Sequence, residues 1–355
     1  MYRILVINPG STSTKSALFD DKSCIFDANI NHSPLELAQF PKIIDQFAWR
    51  CEVIKSTLDG KGISCGSINA VVGRGGLLKP IPGGTYRVNN KMLNDLKKGI
   101  QGEHASNLGG LIAYEFASPL AIPAFIVDPV VVDELDDIAR ISGMPDIERR
   151  SIFHALNQKQ VARLAAQELK KRYEEINLIV AHMGGGISIG AHKKGKVIDV
   201  NNALNGEGPF TPERSGSLPV WDLVKLALSG KYTKDGLKKK ITGKGGMIAY
   251  LGTNNLKKIK EMINKGNKKA KLLYEAMAYQ ISKEIGVCAT VLCGDVQGIV
   301  LSGGLAYDDI FVKLIRKRVD FIARVFVFPG GDEMKALAMG ALRVLRGEEE
   351  AKVYE

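Results

Sequence analysis

Cysteine is sparse. Five residues in 355, Cys24, Cys51, Cys65, Cys288 and Cys293, are odd in number, scattered and without metal-type spacing. Reduced thiols in a cytosolic protein are the simplest account of them. No apolar run approaches the length of a membrane span. The chain enters its first apolar segment at Ile4, which leaves no room for a signal peptide. A cytoplasmic protein with no membrane partner is therefore expected. No Walker A sequence, no GxGxxG after a strand and no His/Cys metal cluster is found. The net charge of +11 comes largely from Lys231 to Lys271, where lysines far outnumber the acids Asp235 and Glu261. Nucleic-acid modules interleave arginine and aromatic residues with such charge. This stretch carries mostly lysine at helical spacing, so it reads as a solvated face with a modest attraction for anionic nucleotide.

What is there is a chain too long for one compact core, for which two domains are the prior. Hydrophobic residues make up 45% and charged residues 25%, ordinary globular values. Ile4 to Ile7 reads as a buried strand, and Pro9-Gly10 as a turn. Four hydroxyls, Ser11 to Thr14, precede Lys15, and Ser16 to Phe19 can pair back as a second strand. Such a hairpin turn offers clustered N–H groups, hydroxyls and a cation, which suit phosphate oxygens. Taken alone it could equally be an ordinary polar turn. The plan recurs at Ile179 to His192, with Gly184-Gly185-Gly186 in the turn, and more briefly at Ile299 to Leu305, with Gly303-Gly304. Three strands ending in small residues could converge on one polyanion, since glycine lets backbone approach a ligand.

These motifs carry a resemblance. Asn8-Pro9-Gly10-Ser11-Thr12-Ser13-Thr14-Lys15 and His182-Met183-Gly184-Gly185-Gly186-Ile187-Ser188 resemble the two phosphate hairpins of the acetate and butyrate kinase family, within the actin, Hsp70 and sugar kinase superfamily. The likeness runs roughly from Arg3 to Arg346. It implies two duplicated actin-like (ribonuclease H-like) α/β domains around a central cleft. Residues 1–150, joined by a C-terminal helix at about 331–347, would form an acid-substrate domain, and 151–330 a nucleotide-binding domain. ATP/ADP would be co-substrate and Mg²⁺ the cofactor, in a homodimer or higher homo-oligomer.

Along the chain, a third strand is expected at Ser23 to Asn31. A helix should run from Ser33-Pro34 to about Cys51, and a second over Glu52 to Asp59. The strand Ile68 to Val72 leads into Gly73-Arg74-Gly75-Gly76. Arg74 is a rigid fork suited to a carboxylate, although a surface arginine in a Gly/Pro loop reads the same way. The resemblance implies a substrate-contacting arginine here. Acetate kinases carry a His-Gly-Gly-Glu type of loop instead, and Leu77 to Gly84 is similar to the butyrate branch. His104 begins a helix and matches a family histidine near the site. Asp128 follows the strand Ala124 to Val127, where acids in open sheets lie near ligands. It resembles the family's active-site aspartate, expected to orient the arginine or the phosphate. An ionised carboxylic acid needs no base. His154 matches the family's phosphoryl-contacting histidine, able to donate a hydrogen bond to phosphoryl oxygen.

Asp199 to Pro219 reads as a loop. Arg214 matches the family's transition-state arginine, and Pro212 is expected near the substrate. Only Glu213 separates the two, where acetate kinases have a longer insertion. Gly243 to Gly252 is expected to be a glycine-rich loop ending in Thr253-Asn254-Asn255 near the adenosine, although Asn255 departs from the acidic residue expected there. The nucleotide set implied by the resemblance is Ser11, Thr12, Lys15, His182, Gly184, Gly185, Gly186, Thr253, Asn254, Asn255, Gly303, Gly304 and Leu305. The metal set is Asn8 and Glu333. The reaction implied is phosphoryl transfer from ATP to butyrate. The alternatives are a kinase for isobutyrate, propionate, acetate or another short acid, and a non-catalytic actin-like nucleotide module.

Overall fold

The computed structural model describes all residues, Met1–Glu355. Twelve strands run in chain order as β1 (Arg3–Pro9), β2 (Ser13–Asp20), β3 (Ser23–Asn31), β4 (Ala70–Arg74), β5 (Thr85–Arg87), β6 (Ala124–Val127), β7 (Asn177–Met183), β8 (Ile187–Lys193), β9 (Lys196–Val200), β10 (Gly298–Gly303), β11 (Val325–Pro329) and β12 (Lys352–Val353). The chain divides into two compact units, Met1–Val132 with Asp332–Glu355, and Asp133–Gly331.

The first unit holds a sheet of order β12-β5-β6-β4-β1-β2-β3. β1 pairs antiparallel with β2 and parallel with β4, which pairs parallel with β6. The alternation of β1 decides its faces. Leu5 and Ile7 join the cluster that contains Leu108 and Ile112 of the helix Asn107–Ala117. The helix Glu333–Leu345 also packs against β1, β4 and β6.

The second unit repeats the plan in the order β11-β10-β7-β8-β9. An antiparallel meander again adjoins parallel strands. Ile179 and Ala181 face the long helix Lys268–Val291, while Leu178 and Val180 pack with Val161 and Ala165 of the helix Ala155–Glu168. Odd and even residues of one strand thus fill two cores, as strand geometry requires. The duplicated α/β architecture expected from the sequence is present in both units.

Several local expectations are corrected. The segment after Ser33 is a single turn, Pro34–Leu37, then a tight 3₁₀ turn at Ile43–Gln46. One helix, Phe47–Asp59, replaces the two expected. Gly243 to Gly252 is not all loop, because Gly246–Leu251 is helical. The third repeat makes no hairpin, since β10 passes into a 3₁₀ turn at Gly304–Tyr307. Residues 133–150, assigned by the sequence reading to the first domain, group with the second unit. Asp136 N–H donates to Ile198 O at 3.0 Å, and Arg149 pairs with Asp199 at 2.9 Å. The short β12 was not foreseen. The lysines of the helices Lys234–Thr242 and Leu256–Asn264 are mostly exposed, and no helix is long and apolar enough to cross a membrane.

Candidate active-site residues

In the first unit the carboxyl ends of three neighbouring parallel strands carry polar residues, as open α/β sheets do at ligand sites. Asn8 lies near the end of β1, Arg74 ends β4, and Asp128 follows β6. The register, with Ile7 opposite Gly73 and Arg74 opposite Val127, brings these ends level. Arg74 forms an ion pair with Glu333, at the first turn of its helix, and Asn8 Nδ2 donates to the same carboxylate oxygen at 2.8 Å. Burial pushes the Glu333 carboxyl up. The charge of Arg74, the hydrogen bonds from Arg74 and Asn8 and the nearby Lys15 outweigh that and hold it below its usual range. Lys15 stands opposite Asn8 across the hairpin and is exposed.

His104 precedes the helix Asn107–Ala117 by a short turn. Its Nδ1 accepts from the Ser106 N–H at 3.2 Å and lies 2.8 Å from the Ser106 hydroxyl. Burial, then the field of Arg74, pull its pKa down, so the ring is neutral with its proton on Nε2. Asp128 is buried with φ +37. Its Oδ1 accepts from Gly84 N–H at 2.7 Å, and its own N–H donates to Gly84 O at 3.0 Å. Asp128 thus braces the Gly83-Gly84 turn. Glu333 forms an ion pair with Arg74. Ser11 and Thr12 are exposed at the hairpin turn, which Gly10 N–H closes onto Ser13 O at 2.8 Å.

In the second unit His182 and Ser302 are register partners at the ends of β7 and β10. Asn157 Oδ1 accepts from His182 Nδ1 at 2.6 Å and from the Ser302 hydroxyl at 2.9 Å. His154, just before the helix Ala155–Glu168, lies 2.9 Å from Ser188 Oγ through Nδ1. Gly184 N–H closes the second turn onto Gly186 O at 2.9 Å. A Cβ on Gly186 would collide with the Arg214 guanidinium, so this glycine is what admits that arginine. Arg214 donates to Ala203 O, its Nε is buried with no hydrogen-bond partner, and burial draws its pKa down. Its fork is thus only partly satisfied by protein.

Other expected residues have different surroundings. Pro212 is buried, and its carbonyl accepts from Ile248 N–H at 3.0 Å. Phe210, two residues before it in the same loop, lies in the hydrophobic core. Asn255 Oδ1 caps the helix Leu256–Asn264 by accepting from Lys257 and Lys258 N–H. Thr253 Oγ1 accepts from Asn255 N–H at 3.1 Å, and Asn254 Nδ2 donates to Glu213 at 3.3 Å. Gly303 exchanges both backbone hydrogen bonds with Gly330 at 2.9 Å, and Leu305 is in the core. Gly185 and Gly304 are exposed, Gly304 with open space beside it. Sequence reasoning missed Asn157, Gln158, Ser188 and Ser302. The spacing of His154, Asn157 and Gln158, one helical face at i, i+3 and i+4, is the signal that could have found two of them.

No trio of His, Cys, Asp or Glu side chains converges to hold a metal alone. Glu333 with Asn8 fits only an ion that arrives on phosphates, since Mg²⁺ commonly takes one or two carboxylates with water and substrate oxygens.

The model described as Acetokinase family matches residues 146–322. Among solved structures, Porphyromonas gingivalis acetate kinase is similar at TM-score 0.80 and 20% identity, covering 97% of this chain and 100% of that one. A propionate kinase from Francisella tularensis gives 0.72 and 19%, covering 96% and 99%. Entamoeba histolytica acetate kinase gives 0.74 and 16%, covering 95% and 98%.

Proposed function

We propose, from the match of residues 146–322 to the Acetokinase family, that this protein is a carboxylate kinase that reversibly transfers the γ-phosphoryl of ATP to butyrate, giving butanoyl phosphate and ADP. The observation that carries the reading is that each unit has its own anion-receptive set. Arg74, Lys15 and neutral His104 share the first unit with a carboxylate, Glu333, already paired to Arg74. Arg214, His154 and the glycine turn share the second. A non-catalytic nucleotide switch needs only one such set.

The acid's carboxylate oxygen attacks phosphorus, and the bond from phosphorus to the β-phosphate bridging oxygen breaks. The acid is already ionised, so no proton moves. Arg74 holds the carboxylate by its fork. Arg214, with Nε still unsatisfied, neutralises charge on the transferring phosphoryl, and His154 donates a hydrogen bond to it. Ser11, Thr12, Lys15 and the turn Gly184 to Gly186 bind phosphates, with Thr253, Asn254 and Gly304 near the nucleoside. Glu333 and Asn8 would hold Mg²⁺, which supplies charge neutralisation on phosphate oxygens. The single-residue link between Pro212 and Arg214 supports butyrate over acetate, since fewer residues are available to fill a pocket for the alkyl chain.

Hydroxamate trapping with acids of two to five carbons tests this. Two extra buried methylenes at ~0.8 kcal/mol each favour butyrate over acetate by roughly tenfold in kcat/KM. A preference for acetate, propionate or isobutyrate would overturn the butyrate assignment and leave the acyl kinase. No hydroxamate from any acid would overturn the kinase reading.

A further inference from the structure

Behind His154 runs a line of buried polar groups that the proposed reaction does not touch. Gln158, Ser188 and His192 are each fully buried. Gln158 Nε2 donates to the Ser188 carbonyl at 2.9 Å and to Ser188 Oγ at 2.8 Å. Gln158 Oε1 lies 2.9 Å from His192 Nε2, and His192 Nδ1 lies 2.7 Å from the Tyr173 hydroxyl. Gly190 makes the room, because a Cβ there would come 2.7 Å from Gln158 Oε1.

The proton positions along this line follow from one group. A carbonyl can only accept, so Ser188 O fixes which end of the Gln158 amide is nitrogen. Gln158 Oε1 then accepts, so His192 Nε2 carries a proton. Burial, then Lys159 and Arg163, hold His192 neutral, so its Nδ1 accepts from Tyr173 O–H. At the other end Ser188 Oγ accepts from Gln158 and, at 3.4 Å, from the His154 backbone N–H, which leaves its own proton for Nδ1 of His154. A neutral His154 with Nδ1 accepting has its proton on Nε2.

We propose that Gln158 and Ser188 are positioning residues that lock His154 as the neutral Nε2–H tautomer, so that this ring always presents an N–H donor to a phosphoryl oxygen. The inference rests on the kinase reading for its consequence but not for the tautomer itself. Without the line, Nδ1–H becomes competitive, and Nε2 then turns a lone pair towards an anion. Half of the molecules in the wrong form would cost only twofold, but loss of ring orientation adds to it, as displacement of a catalytic group does.

The test is long-range ¹H–¹⁵N spectroscopy of histidine-labelled protein at neutral pH. The five histidines are assigned by single variants. Wild type should show His154 protonated at Nε2 only. In Ser188→Ala and in Gln158→Met, His154 should show mixed tautomers, with kcat for the best acid down about tenfold and the KM for ATP within about twofold. An Nδ1–H or doubly protonated His154 in wild type overturns the proposal. So does an unchanged His154 spectrum in Ser188→Ala, which keeps Gln158 and the backbone carbonyl in place should Gln158→Met fail to fold. If no acid is phosphorylated but the wild-type spectrum is as expected, the kinase reading has failed and the tautomer lock has not.

Discussion

The imidazoles of His154 and His182 stack, with centroids 4.0 Å apart and planes inclined by 19°. Their tethers differ. His154 is held from Ser188 and His182 from Asn157. His154→Ala should lower kcat by about a hundredfold with little change in the KM for ATP, the usual consequence of removing a donor aimed at developing charge. His182→Ala should act chiefly on the KM for ATP. Steady-state kinetics by hydroxamate trapping decide it, and equal effects of the two variants on both constants would refute the division of roles.

Arg214→Ala should lower kcat by about a hundredfold or more, ~3 kcal/mol of transition-state stabilisation. Arg214→Lys should recover little, since a point charge lacks the fork. Gly186→Ala should imitate the loss, because the new methyl would occupy the guanidinium's place. Near wild-type turnover in folded Arg214→Ala protein would sink the assignment.

Glu333 gives a pH dependence of stability. Its carboxyl titrates below the ordinary value in the folded protein. The resulting stabilisation is present above the unfolded value of about 4.3 and is lost as pH falls through the depressed folded one. Urea midpoints measured from about pH 6 down to about pH 3 should therefore fall more steeply for wild type than for Glu333→Gln. Parallel curves would show that the pairing with Arg74 contributes nothing.

Arg50 is fully buried, and burial brings its pKa down to about 10, so it stays charged at neutral pH. It donates to Gln46 Oε1, to Ser13 O at 3.0 Å and to Thr14 Oγ1 at 2.8 Å, beneath the first hairpin. Arg50→Ala leaves Gln46 Oε1 buried without its donor, removes one of the two contacts of Ser13 O and of Thr14 Oγ1 and empties a large buried volume, and should cost about 3 kcal/mol or more in urea unfolding. A loss under about 1 kcal/mol would mean that water or neighbouring groups replace the guanidinium.

The sequence by itself carried the recurring strand-and-turn pattern, and the resemblance in that pattern implied the duplicated architecture. Apolar strands ending in Asn8-Pro9-Gly10 and His182-Met183-Gly184 are local patterns, because strand, turn and returning strand lie within a few residues of one another. Arg74, Asp128 and His154 were singled out through the resemblance, each beside a legible element. Helix boundaries between Ser33 and Asp59 were misread because competing apolar spacings fit more than one break, and packing chose among them. Only the tertiary structure decided that Glu333 pairs with Arg74, that Phe210 belongs to the core, that Asn255 is a cap, and that Gln158 connects His192 to Ser188. Hydrogen bonds of that kind join residues far apart in the chain, and their partners are set by strand register and helix rotation, which no local pattern encodes.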